Sequence, residues 1–328
     1  MPKNIDIKKL VSQNSIWLVF IALSAFLSFA SPAFLTPINI NNLLVTVSIT
    51  GIMAVGVTFC ILSRGIDLST SGVLVLSTVV TASLVQEITA TNKVFEGMYP
   101  VHPLVAVAAG LGVGLVFGLI NGGLIAYTKI PPFIATLGTM LITRALALLY
   151  TNAFPVPNLT NEFRAIGRGE WVFGIPNLVV AFALVLIIGG FLLTMTRFGK
   201  NVYAIGGNEV AARVAGINVE RNIIKIYVFC SLCAAFAAVL HVGRVGSASP
   251  AGAVGWELNA IAAATVGGVS HSGGIGRMSG VLSGILVLGV VNNGMLMLGI
   301  SPYIQDIVRG LIIIGAVVFD MRKHAKRA

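Results

Sequence analysis

The sequence predicts an all-α, polytopic membrane protein with about ten transmembrane helices, some of them discontinuous, and with both termini in the cytoplasm. Hydrophobic residues make up 56% of the 328 residues and charged residues only 10%, whereas soluble domains carry about 25% charged residues. A chain this apolar has too little polar surface to cover itself in water. Because the apolar runs follow one another along the whole chain, residues 1–328 are expected to form a single transmembrane domain.

The candidate spans are the apolar runs that approach the length of a bilayer-crossing helix, about 20 residues. They are Ile16–Ala30, Leu43–Leu62, Leu68–Gln86, Pro103–Tyr127, Phe133–Tyr150, Asn177–Met195, Tyr227–Val242, Leu258–Ser270, Met278–Gly299 and Ile304–Phe319. The first run follows a basic segment and could serve as a signal peptide cleaved after Ala30. We expect it to be retained, because the apolar stretch continues through Phe34 and Leu35 without a polar spacer.

The positions of the basic residues predict the orientation, since cytoplasmic connections are enriched in Lys and Arg. With about ten spans and a cytoplasmic N-terminus, the inside residues are Lys3, Lys8, Lys9, Arg64, Lys129, Arg197, Lys200, Arg213, Arg221, Lys225, Arg277, Arg322, Lys323, Lys326 and Arg327. The outside residues are Lys93, Arg164, Arg168 and Arg244. The net charge of +10 is therefore spread over short connections and forms no single basic face, which argues against a nucleic-acid partner.

Residues 63–72, here called the first polar break, read SRGIDLSTSG between the second and third spans. One interpretation is that Asp67 caps the third span, where an acidic group favours the helix dipole. The other is a broken helix in which Asp67, Ser69 and Ser71 line a polar path. Irregular backbone at membrane depth is tolerated only inside protein or beside water, so both interpretations stay open.

Residues 267–277, the second polar break, read GGVSHSGGIGR after a span of only about 13 residues, or ~20 Å of helix. Short segments interrupted by glycine point to the path of a transporter. No Gly-Lys-Ser/Thr follows these glycines, so the break is not a phosphate-binding P-loop. We expect His271 to be an ordinary loop histidine, because the sequence places no carboxylate near it for a proton relay.

Three charged residues fall inside predicted spans, where insertion costs at least ~2.5 kcal/mol each. Asp306 and Arg309 are spaced to pair on one helix face; they and Arg144 could instead contact a polar solute. Neutral amides at Asn121, Asn292 and Asn293 suit polyols better than ions. The candidate translocation path therefore comprises Asp67, Ser69, Ser71, Asn121, Asn292 and Asn293.

No cluster of acidic, histidine or cysteine residues at a shared depth indicates an enzyme, a cofactor or a metal site. Cys60, Cys230 and Cys233 all lie in apolar runs. A reactive or metal-binding cysteine pair needs a polar, accessible setting. We therefore expect these thiols to pack as small apolar groups.

Residues 196–226 form a charged island between two apolar spans, with a short amphipathic helix expected from Glu209 to Ala215. Asn208 is a favourable N-cap, and Gly216 favours the stop of the helix. The spacing predicts an ion pair between Glu209 and Arg213. It also predicts an apolar face formed by Val210, Val214 and Ile217. A helix this short is unstable alone, so it must dock on its own chain or on a partner.

Several motifs resemble those of one transporter family. The core Ala211-Ala212-x-x-x-Gly216 is similar to the coupling-helix signature in permease subunits of bacterial ABC importers, with Val210 where that signature usually has Glu. The resemblance to the ribose/galactose (methyl-galactoside) branch of the binding-protein-dependent transport system inner membrane component family covers nearly the whole chain. It includes RGIDLS (64–69), NGGLIAYTKIPPFIATLGTM (121–140), TRFGKNVYAIGGNEVAARVAGINV (196–219), GRVGSAS (243–249), ELNAIAAATVGGVSHSGG (257–274) and NNG (292–294). The chain departs from the branch at Thr70-Ser71, where Val-Gly is frequent.

This resemblance implies a pore-forming permease subunit of a sugar importer in the bacterial inner membrane. It implies three partners: a cytoplasmic ATP-binding subunit, a periplasmic sugar-binding protein and a second permease subunit, expected to be an identical copy. The implied coupling residues are Gly206, Gly207, Asn208, Glu209, Ala211, Ala212, Arg213 and Gly216. An ion-coupled secondary sugar transporter is the alternative; it needs a coupling carboxylate, for which Asp306 is the candidate.

Overall fold

The computed structural model describes residues 15–171 and 174–325. Its helices are α1 (Ser15–Ala30), α2 (Pro37–Leu62), α3 (Thr70–Leu84), α4 (Pro103–Gly123), α5 (Pro132–Tyr150), α6 (Asn161–Arg168), α7 (Asn177–Met195), α8 (Arg197–Gly207), α9 (Glu209–Val214), α10 (Val219–Val245), α11 (Trp256–Val266), α12 (Met278–Met297) and α13 (Pro302–Ala325). A π-helical turn, Leu124–Thr128, extends α4. Two short antiparallel strands, β1 (Glu170–Trp171) and β2 (Ile175–Pro176), pair with Trp171 opposite Ile175. The all-α class predicted from composition is confirmed.

Each predicted span corresponds to a helix. Six helices of the described ranges are long and apolar enough to cross a membrane: Pro37–Leu62, Pro103–Thr128, Pro132–Tyr150, Asn177–Met195, Val219–Val245 and Met278–Met297. The total of about ten crossings and the cytoplasmic position of both termini stay predictions. The lysines at positions 3, 8 and 9 and the basic residues at 326 and 327 lie outside the described residues.

Helix α10 begins at Val219, eight residues before the predicted start at Tyr227. The cause is a local cap, since the Asn218 side-chain oxygen accepts a hydrogen bond from the Arg221 amide at 2.9 Å. The helix ends at Gly246, whose φ of 79° lies in the left-handed region. Capping residues of this kind determine where the helix begins and ends, whereas the hydrophobic run identifies only its apolar middle.

Helix α2 is the centre of the bundle. In its most apolar stretch of 18 residues, 83% of the stretch is buried inside the chain. The corresponding buried shares of α4, α5 and α7 are 28%, 28% and 22%. The side chains of α2 that are wholly enclosed include Ile52, Met53 and Phe59. The central position of α2 means that its C-terminal end, at Leu62, is held on several sides by other elements.

Glycines allow α4 to lie directly against α10. A Cβ at Gly114 would be 2.6 Å from the Ala235 Cβ, and one at Gly118 would be 2.6 Å from the Val228 Cα. Gly122 continues the same stripe, since a Cβ there would be 2.7 Å from the Ile224 Cα. Small residues spaced in this way let helix backbones approach closely in a membrane, where lipid removes the hydrophobic drive for association.

Replacement of Gly118 by Leu is expected to separate α4 from α10 and to destabilise the protein by about 1–3 kcal/mol, the usual cost of overpacking. The matched control is Gly112→Leu on the same helix, because nothing lies within 4 Å of a Cβ at Gly112. The measurement is the thermal midpoint of detergent-solubilised protein, followed by size-exclusion chromatography. Equal midpoints for the two variants would contradict this packing.

Candidate functional site

The charged island predicted at 196–226 is a pair of helices rather than a loop with one helix. Helix α9 spans Glu209–Val214, within a residue of its predicted range, and the Asn208 side-chain oxygen accepts from the Ala211 amide at 3.0 Å. Gly216 has a φ of +80°, as the predicted stop requires. Helix α8 is not among the elements predicted from sequence; its signal is Thr196, whose hydroxyl oxygen accepts from the Gly199 amide at 3.2 Å.

Helix α9 is anchored by its small residues and leaves its larger apolar residues outside. Ala212 is buried together with Ile205 and Val219, and Ile217 packs against that cluster. Val210 and Val214 are 71% and 85% exposed. The predicted apolar face is therefore divided, since Ile217 packs against the described part of its own chain while Val210 and Val214 stay largely exposed there.

A compact ion-pair group holds α9 beside α10. The Arg213 guanidinium lies 2.9 Å from Glu209 and 2.7 Å from Glu220, and Lys129 lies 2.9 Å from Glu220. The hydrogen bonds that Arg213 donates to Glu220 and to Glu209 raise the pKa of Arg213 above its ordinary value. The pair predicted within α9 is confirmed, and Glu220 extends it to the helix that enters the bundle.

Two of the predicted coupling residues, Gly206 and Gly207, lie in the helix that contacts the end of α2. A Cβ at Gly206 would collide with the Leu62 carbonyl oxygen, whereas nothing lies within 4 Å of a Cβ at Gly207. Arg64, whose φ is 62°, donates from Nη2 to the Gly207 carbonyl at 2.9 Å and from Nε to the Ser272 carbonyl at 2.7 Å. Arg64 thus bonds the first polar break to both α8 and the second polar break.

The second polar break is bonded to α2 and to α13. The Gly274 amide donates to the Leu62 carbonyl at 2.8 Å. The Asp320 carboxylate of α13 accepts from the Ser270 hydroxyl at 2.9 Å and from the His271 amide at 3.1 Å. The expectation that His271 lacks a carboxylate neighbour is wrong, because the fold brings Asp320 to it from a distant helix.

The imidazole of His271 is held in place by a neighbouring helix. Its Nε2 lies 2.8 Å from the Thr265 hydroxyl. Burial lowers the pKa of His271, and the charge of Asp320 opposes that shift. Because burial is the larger effect, the neutral imidazole is favoured at neutral pH.

A buried hydrogen-bond network joins three of the predicted path residues. Asp67 Oδ1 accepts from the Ser69 amide at 2.9 Å and from the Ser69 hydroxyl at 2.6 Å. Asn121 Nδ2 donates to Ser69 Oγ at 2.8 Å, and Thr139 donates to Asn121 Oδ1 at 2.7 Å. All four side chains are enclosed. Ser69, rather than Asp67, is the N-cap residue of α3, so the capping hypothesis for Asp67 is wrong.

The other candidate path residues lie in separate places. Arg144 Nη2 donates to Ser71 Oγ at 3.0 Å and to the Ala253 carbonyl at 3.1 Å, so this intramembrane charge is bound by neutral oxygens. Arg309 pairs with Asp306 at 3.0 Å, as predicted, and its Nε also donates to Asn292 Oδ1 at 3.2 Å. The predicted path residues are therefore not one continuous line of contacts.

Asn293 is part of a reciprocal amide pair. It donates to Asn39 Oδ1 at 2.8 Å, and Asn39 donates back to Asn293 Oδ1 at 3.0 Å. This pair joins α12 to the start of α2. Asn293 is therefore a structural tie between two helices.

Three potential metal ligands meet beneath the first polar break. The thiols of Cys60 and Cys230 and the carboxylate of Asp67 lie within 4.8 Å of one another and are buried. Asp67 Oδ2 has no hydrogen-bond partner among the described residues. The sequence spacing suggests Cys233 as the neighbour of Cys230, whereas the fold supplies Cys60 from α2. Three ligands are fewer than the four of a closed structural zinc site.

Comparison with known proteins places this architecture in a family. Residues 39–317 match the family model described as "Branched-chain amino acid transport system / permease component". The chain is 38% identical to the galactose/methyl galactoside import permease protein of Haemophilus influenzae over 324 residues, covering 97% of this chain and 96% of the relative. It is 40% identical to the ribose import permease protein of Escherichia coli K12 over 319 residues, covering 96% and 95%.

The chain belongs to this permease family. Within it, the ribose/galactose branch suggested by the sequence motifs is confirmed. A third relative, the L-arabinose transport system permease protein of Escherichia coli K12, is 41% identical over 310 residues, covering 94% of this chain and 89% of the relative. No solved structure matches. These relatives are transport permeases and not enzymes, and the long apolar helices fit a multi-pass membrane protein.

The glycine pair in α8 provides a matched test of the coupling contact. Gly206→Ala is expected to displace α8 from Leu62 and to reduce transport at least tenfold, because the added methyl group meets fixed backbone. Gly207→Ala is expected to leave α8 packed against Leu62 and to transport better than Gly206→Ala, since its Cβ meets no atom of the described part of the chain within 4 Å. Uptake of radiolabelled sugar into cells expressing equal amounts of each variant is the measurement. The contact is refuted if Gly206→Ala transports at the wild-type rate.

Proposed function

We propose that this chain is the pore-forming permease subunit of an ABC importer that carries a monosaccharide, galactose/methyl-galactoside or ribose-like, across the bacterial inner membrane. The observation that carries the proposal is the exposed apolar pair on α9, Val210 and Val214, on a helix packed against α8 and α10. Two exposed apolar side chains on a short, well-anchored helix fit the groove of a partner protein.

The partner on this surface is an ATP-binding subunit. The sequence holds no P-loop motif, so energy from ATP has to come from another chain. A periplasmic sugar-binding protein delivers the sugar on the opposite side, and a second copy of the permease completes the pore. The likeness to permeases for galactose, ribose and arabinose supports a sugar as the cargo.

The contacts of Arg64 suggest how a movement of α9 reaches the membrane interior. A displacement of α8 and α9 moves the Gly207 carbonyl, which is hydrogen-bonded to Arg64. Arg64 belongs to the first polar break and also bonds to Ser272 of the second, so both breaks move with it. Asp67 and Ser69 lie directly beyond Arg64 and bond to α4 through Asn121. Packed interfaces switch between discrete arrangements, so a small shift at α8 can change helix positions in the pore.

A charged substitution on the exposed face of α9, formed by Val210 and Val214, tests the proposed contact with the ATP-binding subunit. Val214→Lys is expected to weaken binding of the ATP-binding subunit at least tenfold, because the interface would have to bury an unpaired ammonium group. The protein itself should fold normally, since Val214 is 85% exposed. Lys200→Glu, an exposed change of charge on α8, is the control. The measurement is co-purification of the ATP-binding subunit with tagged permease; equal recovery from both variants contradicts the assignment.

The source of energy for sugar uptake distinguishes an ABC importer from an ion-coupled secondary transporter. Secondary transport needs a coupling carboxylate, but Asp306 is paired with Arg309 and its side chain is 70% exposed. Uptake of D-galactose and D-ribose is expected to stop when vesicles lack ATP and to persist when an ionophore collapses the ion gradients. The reverse result, with uptake lost only after addition of the ionophore, would establish the secondary transporter.

A further inference from the structure

A pocket lies between α2, α11 and α12, apart from the Asp67 network. Its volume is about 80 Å³, room for a ligand smaller than the drug-sized molecules that fill pockets of ~300–1,000 Å³. Its polar side chains are Thr46, Thr50, Asn259, Asn292 and Asn293, and its apolar walls include Leu43 and Leu288. Within the described part of the chain, no ionisable side chain lines this α2–α12 pocket.

Asn292 enters the pocket with a fixed amide orientation. Arg309 Nε donates to Asn292 Oδ1 at 3.2 Å, and only the oxygen of an amide accepts. Asn292 Nδ2 is therefore left as a donor, with no protein acceptor among the described residues. Asp306 balances the charge of Arg309, so the pocket meets an oriented neutral amide rather than a bare cation.

The remaining polar side chains supply complementary groups. The Thr46 hydroxyl donates to the Asn42 carbonyl at 2.9 Å, which leaves its oxygen as an acceptor for a ligand. The side chains of Thr50 and Asn259 make no hydrogen bond within the described residues and can both donate and accept. Neutral donors and acceptors beside apolar walls match a sugar, which presents hydroxyl groups around its edge and C–H groups on its faces.

We propose that the α2–α12 pocket is where a neutral monosaccharide contacts the permease, and that Asn292, oriented by Arg309, determines its specificity. This inference rests on the proposed sugar import. It adds Thr46, Thr50 and Asn259 to the path and gives Asn293, whose amide is taken up by Asn39, a supporting role instead of a sugar contact.

The pocket is also mechanically connected to the coupling contact. Thr50 and Leu62 lie on the same helix, twelve residues or ~18 Å apart along its axis. A shift of the cytoplasmic end of α2 therefore moves one wall of the pocket against α12. This arrangement lets the ATP-dependent movement change the pocket directly.

The first experiment uses the complete importer in proteoliposomes, with uptake of D-galactose and D-ribose and ATP hydrolysis measured in parallel. Asn292→Ala and Thr50→Val are expected to lower uptake per ATP hydrolysed at least fivefold. Thr58→Val is the control on the same helix, because its hydroxyl bonds to the Ala54 carbonyl at 2.7 Å away from the pocket. If both pocket variants keep the wild-type ratio, the pocket assignment is wrong. If the wild-type importer shows no ATP-dependent uptake, the proposed function itself fails.

A second experiment measures access to the pocket instead of turnover. The native thiols at Cys60, Cys230 and Cys233 are buried, so an introduced cysteine dominates labelling by a small thiol reagent. Leu43→Cys, in the pocket wall, is expected to label in the turning-over importer, and to label at least threefold more slowly with D-galactose or D-ribose. Thr58→Cys, which is enclosed in the core, is expected to stay unlabelled. Labelling of Leu43→Cys that no tested sugar slows overturns the proposal.

Discussion

The contact between α8 and the Leu62 carbonyl is the constraint on which this end of the helix bundle depends. That carbonyl lies at the end of the most enclosed of the six long apolar helices, accepts from the Gly274 amide at 2.8 Å and leaves no room for a side chain at Gly206. The last carbonyls of a helix have no partner within it. Here the second polar break supplies that partner, so the bond that satisfies the end of α2 also positions α8.

Polar side chains between the apolar helices also satisfy one another by hydrogen bonds. Asp67, Ser69 and Asn121 satisfy one another inside the bundle, and Arg144 bonds to Ser71 and to backbone carbonyls of a loop. Buried polar groups are costly unless they are hydrogen-bonded. The networks therefore tie α3, α4 and α5 into fixed relative positions, while the glycine stripe of α4 sets its distance from α10.

Much of the fold can be predicted from sequence, because the length of an apolar run and the capping residues of a helix depend on residues close together in the chain. Asn208, Gly216 and the Glu209–Arg213 pair could be predicted, since each depends on neighbours within a few residues. The sequence could not predict that Asp320 would meet His271, or that Arg309 would orient Asn292, because those partners come from separate helices. Helix α8 could not be predicted because its short amphipathic pattern resembles an ordinary charged connection.

In helix α9, the residues that determine its fold differ from the residues on its exposed surface. Asn208, Ala212 and Gly216 fix its start, its buried side and its end, whereas Val210 and Val214 contribute almost nothing to its own folding. Substitutions at the displayed positions can therefore accumulate without unfolding the helix. Val210 and Val214 can be exchanged for other residues while Asn208, Ala212 and Gly216 keep the backbone of the helix in place.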